Sequence, residues 1–251
     1  MLNQQELTDS VAQYKKESKK HFDAALSALL ALAWKYKDTL GGNFRFDADS
    51  GLYDEALKIC RELSDKCAES ARKRAETLIN ESLDYADADA AWESQGETSD
   101  GDALIARFDM AGSHLLQLLE LWIAVAFTNN FTKGYTRISI IRYLNNPFAS
   151  GLFGAWGKDI LKWGRGYSKN IEEQLALIGQ GAIISVARYA EWVDAQAKGA
   201  TYYVRRRGSS YDCDMCESIA NIPIPASVPF EYLHARCMCY PEYYYDEMPE
   251  G

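Results

Sequence analysis

The chain has 251 residues, 47% of them hydrophobic and 25% charged, a composition of folded protein that excludes a disordered chain. That length is enough to bury a sizeable core, as one large domain or as a helical domain with a small satellite. The formal net charge of -9 argues against nonspecific nucleic-acid binding by the molecule as a whole, which needs Lys and Arg to neutralise phosphates.

The charge is unevenly spread. Residues 1–130 carry -9, residues 131–210 carry +7 and residues 211–251 carry -7, so only the middle stretch is suited to face nucleic acid. The opening Met1-Leu2-Asn3-Gln4-Gln5-Glu6 is polar and acidic where a secretory signal would be basic and then apolar, and a reducing cytoplasm is the expected setting.

From Asn3 to Lys37 there is neither Pro nor Gly, and Leu7, Val11, Tyr14, Phe22, Ala25, Leu29, Leu32 and Tyr36 recur at three- and four-residue steps. That spacing predicts one amphipathic helix. At 1.5 Å per residue it would run about 50 Å, which calls for a second long helix beside it. Lys15, Lys16, Lys19 and Lys20 read as its solvated face. After Gly41-Gly42-Asn43, the Asp47–Gly51 loop has only a superficial likeness to a calcium loop, since Lys58 stands where the twelfth-position glutamate belongs.

A second helix is expected from Leu52 to Tyr85, with Tyr53, Ala56, Cys60, Leu63, Cys67, Ala71, Ala75 and Leu78 on its buried face. Cys60 and Cys67 would lie about 10 Å apart along it, too far for a mutual disulfide, and read as small core hydrophobes. Glu93–Asp102 reads as a polar surface loop. Ala103–Thr128 is the most apolar helix, but its uninterrupted apolar run, Leu121–Phe127, is only seven residues, so it is expected to be a central buried helix and not a membrane span. His114 within it reads as a core or boundary histidine.

Between Phe148 and Tyr167, Gly and Trp alternate with Lys158, Lys162 and Arg165, a segment expected to pack over a core, with single-strand stacking as the other reading. A further helix over Asn170–Lys198 should break or kink at Gly179-Gln180-Gly181. Strands are expected at Ala200–Val204 and Met238–Tyr244, while the three prolines of Asn221–Pro229 exclude regular structure there.

The chemistry is concentrated near the C-terminus. Cys213 and Cys216 have the two-residue spacing of a metal knuckle, and His234 and Cys237 repeat it, so four ligands in two pairs could close a tetrahedral zinc site, with Cys239 as a fifth candidate. In a reducing compartment this spacing favours metal over the alternatives, disulfides or free thiols. Four protein ligands leave no position for water, so the site reads as structural; no deaminase pattern, phosphate loop or HExxH is present, and no enzyme is expected. The expected architecture is mainly α: long antiparallel helices over 1–130, a Gly/aromatic-rich helical region over 131–199, and a small α+β zinc-knuckle module with a β-hairpin and acidic tail over 200–251.

The helix with Arg188-x-x-Glu191, the strand Tyr203-Val204, the Cys213/Cys216 knuckle and the terminal His234-x-x-Cys237-x-Cys239-Tyr240-Pro241 together resemble the C-terminal module of phage Mu F-type minor head proteins, over roughly residues 150–245. Here Ala235 and Met238 stand where that family usually has Pro and Arg, and Ala220-Asn221 where it often has Asp-Gly. The resemblance implies a virion component acting in head morphogenesis. It would be made in the host cytoplasm and located in the virion head, bound to the portal or the major capsid protein and not to a membrane. Arg188 and Glu191 are then expected to link their helix to the zinc module. The second functional reading is a nucleic-acid-binding zinc protein in which Arg205, Arg206 and Arg207, with the basic 131–210 segment, meet packaged DNA.

Overall fold

The computed structural model describes residues 2–36, 50–96, 108–109, 111–113, 115, 171–208, 213–231 and 237–248. The described part is mostly helical, with a small C-terminal three-stranded sheet. In chain order the elements are α1 (Gln4–Lys35), α2 (Ser50–Ser82), α3 (Ala88–Gly96), α4 (Ile171–Ala197), β1 (Tyr202–Arg206), α5 (Asp214–Ser218), β2 (Pro223–Pro225) and β3 (Tyr240–Tyr244). They fall into two compact units: one is Met1–Lys16, Ala68–Leu104 and Leu177–Gly251, the other Glu17–Cys67 and Ile105–Ala176. The Asp47–Gly51 loop as far as Asp49, His114 and the segment 116–170 lie outside the described residues.

Helix α1 starts where Asn3 caps it, its Oδ1 accepting the Gln5 N–H at 2.9 Å. Its predicted stripe from Leu7 to Leu32 is buried, and the four lysines from Lys15 to Lys20 are exposed. Helices α1 and α2 run antiparallel: Arg74 donates to Gln13 at one level, and Lys35 pairs with Glu55 at 2.7 Å at another. Cys60 and Cys67 are buried and form no disulfide, and burial pushes the Cys60 thiol up to about 12, as expected of a core hydrophobe.

Three local expectations change. Residues 88–96, partly assigned above to a loop, form α3, because Asp87 caps it through the Ala90 N–H at 2.9 Å. Helix α4 runs unbroken through Gly179-Gln180-Gly181. The glycine there serves close packing and not a break: a Cβ on Gly179 would lie 1.9 Å from the Tyr14 ring. Finally, Pro223–Pro225 is a strand despite its prolines. It sits at an edge, in the order β2-β1-β3, and Ala226 N–H to Thr201 O (2.9 Å) sets the phase. In that phase Ile224 faces Tyr203 as the hydrogen-bonding residue, so both prolines lack only outward N–H groups.

Helix α4 stops at Gly199, whose φ of 87° is the left-handed conformation glycine adopts freely. The Gly199 N–H reaches Gln196 O and the Ala200 N–H reaches Ala195 O, closing the helix and turning the chain into β1. Strand β1 pairs antiparallel with β3, Tyr203 opposite Tyr243 and Arg205 opposite Pro241. One face of this sheet, carrying Tyr203, Tyr243 and Ile224, packs with Ala195, Phe230, Cys216, Cys237 and Cys239 in a single cluster. The cysteines are thus set in the core of the C-terminal module.

Candidate metal centre

Cys213 stands at the N-cap of α5 in extended backbone, and its carbonyl accepts the Glu217 N–H at 2.9 Å. One turn of helix then carries Cys216 inward, where it is 1% exposed. Cys237 and Cys239 lie two residues apart on the segment entering β3, and alternate residues of an extended chain face the same way. Both are also 1% exposed.

The sulfur atoms of Cys216, Cys237 and Cys239 all lie within 4.8 Å of one another, with Cys216 Sγ to Cys237 Sγ at 3.8 Å. A disulfide needs about 2.05 Å, and none of these cysteines is disulfide-bonded. Zinc–sulfur bonds of about 2.3 Å in a tetrahedron give sulfur–sulfur edges of about 3.8 Å. The three thiols are therefore a set that could hold a metal ion. Cys213 packs against the same cluster, half-buried, and its contact with Cys216 contributes to that thiol's electrostatics.

The thiols do not share protons evenly. The Cys237 side chain and, behind it, the Gly208 N–H, Cys216 and the Arg205 charge overcome burial to hold Cys239 down at about 5. Cys237 is pushed up by the neighbouring Cys239 and by burial. Burial first, then Cys239 and Cys213, push Cys216 up to about 11. One thiolate is thus favoured by the protein alone, and a cation among the sulfurs would favour ionisation of the others, since metal ligation requires thiolate.

A buried polar network holds this centre to the rest of its unit. Arg188 and Glu191, 1% and 2% exposed, pair at 2.6 Å on α4. Glu191 accepts the Leu2 N–H at 2.9 Å, Arg188 donates to Gln4, and Gln4 donates to the carbonyl of Met238, between the two clustered cysteines, at 3.1 Å. Burial raises the Glu191 carboxyl above the ordinary glutamate range, against the pull of Arg188 and of the Leu2 N–H. Gly208 completes the fit, because a Cβ there would meet the Met238 carbonyl oxygen at 1.8 Å. Nothing in the local sequence marks Gln4 for this role; only the fold brings it to residue 238.

Of the predicted ligands, the structure brings Cys216, Cys237 and Cys239 together and sets Cys213 beside them, while His234 lies outside the described residues. Cys239, expected as a fifth candidate, stands in the cluster alongside Cys237. The first arginine of the run is turned inward, and the other two pair with side chains of the module. Arg205 is 2% exposed, its Nη2 donates to Glu231 O at 2.8 Å, and its guanidinium lies 4.0 Å from the Phe230 ring centroid. Arg206 pairs with Glu242 at 2.5 Å and Asn221 at 2.6 Å, and Arg207 pairs with Glu217 at 2.5 Å. No helix among the described residues is long and apolar enough to cross a membrane. No protein-family model, no curated protein and no solved structure matches this chain.

Proposed function

We propose that this chain is a phage minor head protein acting in head morphogenesis, associated with the portal and the capsid interior, and that its C-terminal module is held by a structural zinc ion. The observation that carries the reading is the convergence of Cys216, Cys237 and Cys239, three buried thiols within 4.8 Å of one another. Soft thiolate ligands in tetrahedral spacing favour zinc among the common divalent ions. Cys213 is the fourth ligand on this reading, which makes the site closed and non-catalytic. The buried Arg188–Glu191 pair supports the same assignment: it belongs to the pattern that motivated the family resemblance, and it ties α4 to the Cys-x-Cys segment. The zinc ion would supply cross-linking of the α5 turn to the start of β3, and no reaction step is assigned to it.

Protein purified without added metal should contain one zinc per chain by elemental analysis. Cys239→Ser should lose it and His234→Ala should keep it; a zinc-free wild type refutes the metal, and the opposite pattern of variants refutes the ligand set. For the assembly role, the chain should co-purify with portal complexes and be present in heads isolated from infected cells. Its absence from both refutes the head-protein reading. DNA binding without portal association would favour the nucleic-acid alternative, although the three arginines which that alternative uses are engaged within the module.

A further inference from the structure

Arg205 is buried at 2% exposure. Only one of its donor groups reaches a carbonyl, the Nη2–H to Glu231 O. The face of the guanidinium is used by the Phe230 ring. Its Nε and Nη1, both buried, make no hydrogen bond among the described residues. A permanent charge with in-plane donors left over is unusual in a protein interior, where such groups are normally matched. Arg205 lies on the same side of β1 as Tyr203, the side packed on the cysteine cluster, and opposite Pro241, two residues past Cys239.

Three thiolates around a divalent ion leave one surplus negative charge, and four leave two. In a buried site that surplus is costly unless a cation lies next to it. We propose that Arg205 is the buried counter-cation of the thiolate centre, its unpartnered Nε–H and Nη1–H turning to the ligand sulfurs once these ionise around a metal, and that it sets the affinity of the site for a thiophilic divalent ion. The proposal rests on the metal reading above and adds a residue outside the ligand set. It also explains why the first arginine of the run is turned inward while the next two pair with acidic side chains. Arg205 is a positioning residue here, acting through the sulfurs.

The test uses the full chain, with zinc and cobalt(II) as probes. Zinc affinity is measured by competition with a chromophoric chelator for wild type, Arg205→Met, Arg205→Lys and the control Arg206→Gln. Loss of a partner behind the ligands typically weakens metal binding 10- to 100-fold, so Arg205→Met should fall by about that factor. Arg205→Lys, with charge but no guanidinium fork, should lie between it and wild type, and Arg206→Gln should stay close to wild type.

In the cobalt-loaded proteins the sulfur-to-metal charge-transfer band should move to lower energy in Arg205→Met and Arg205→Lys, because sulfurs that lose N–H donors are more electron-rich. Metal-free Arg205→Met should melt no lower than metal-free wild type, since an apolar side chain replaces a buried charge. Wild type that binds zinc while both Arg205 variants bind it equally tightly with an unmoved band overturns the proposal and leaves the metal centre standing. Wild type that binds neither ion overturns both. If Arg205→Met does not fold, the Arg205→Lys affinity and band decide alone by the same criteria.

Discussion

Glu191→Ala removes the acceptor from a pair that is almost wholly out of water. Arg188 Nη1 loses its partner at 2.6 Å while remaining 1% exposed, and the Leu2 N–H loses its acceptor at 2.9 Å. Breaking a buried pair from one side costs about 3–5 kcal/mol, because the surviving charge is left uncompensated. At about 2–4 °C per kcal/mol for a chain of this size, that is a fall in Tm of roughly 6–20 °C. The matched control is Glu62→Ala, which breaks the exposed Lys66–Glu62 pair of α2 and should cost about 0.5 kcal/mol or less. The double replacement Arg188→Met with Glu191→Leu should recover most of the loss, since no charge is then buried. Thermal melts followed by far-ultraviolet circular dichroism, with urea titrations for the free energies, measure all four proteins. A Glu191→Ala protein within about 1 kcal/mol of wild type would refute the structural role of the pair and the reasoning behind it.

Two further outcomes test the packing and electrostatics of the same unit. Gly179→Ala gains helix propensity of up to about 1 kcal/mol, but its Cβ would meet Tyr14 at 1.9 Å, so the variant should be destabilised by about 1–3 kcal/mol. Combining it with Tyr14→Ala should make the alanine at 179 neutral or favourable relative to Tyr14→Ala alone, and a stabilised single variant would show that the contact yields easily. Asp194 is buried; burial pushes its carboxyl up, but Lys198 and the N–H groups of Tyr85 and Asp84 outweigh that and hold it below the ordinary 3.8. A depressed folded value means its stabilisation is complete above the unfolded value and is lost as pH falls through the folded one. Asp194→Asn should therefore be less stable than wild type at neutral pH, and the gap should close below about pH 4 in acid titrations of stability; a gap independent of pH would assign the effect to packing.

The helical half of the molecule was legible in sequence because its signal is local. Leu7 to Leu32 and Ala56 to Leu78 repeat at the helical period over about seven and about six turns, and burial against a partner helix follows from that periodicity alone. The cysteine spacings were equally local, so Cys216, Cys237 and Cys239, the set that could hold a metal ion, could be named as candidate ligands from sequence. What periodicity could not reveal is which distant groups meet. Propensity placed a break at Gly179, but the Tyr14 ring against it makes that glycine a packing site within a continuous helix. Proline counts excluded a strand at Pro223–Pro225, but an edge position with outward-facing prolines admits one. Three consecutive arginines read as a basic patch, because charge in a sequence carries no direction. On a strand, alternate residues face opposite ways, and so Arg205 is buried at the cysteine core while Arg206 reaches Glu242. Gln4 reaches Met238 across 234 positions of chain. Such a contact exists only once the helices and the sheet have been brought together, because side-chain hydrogen bonds form between neighbours in space, whatever their separation in sequence.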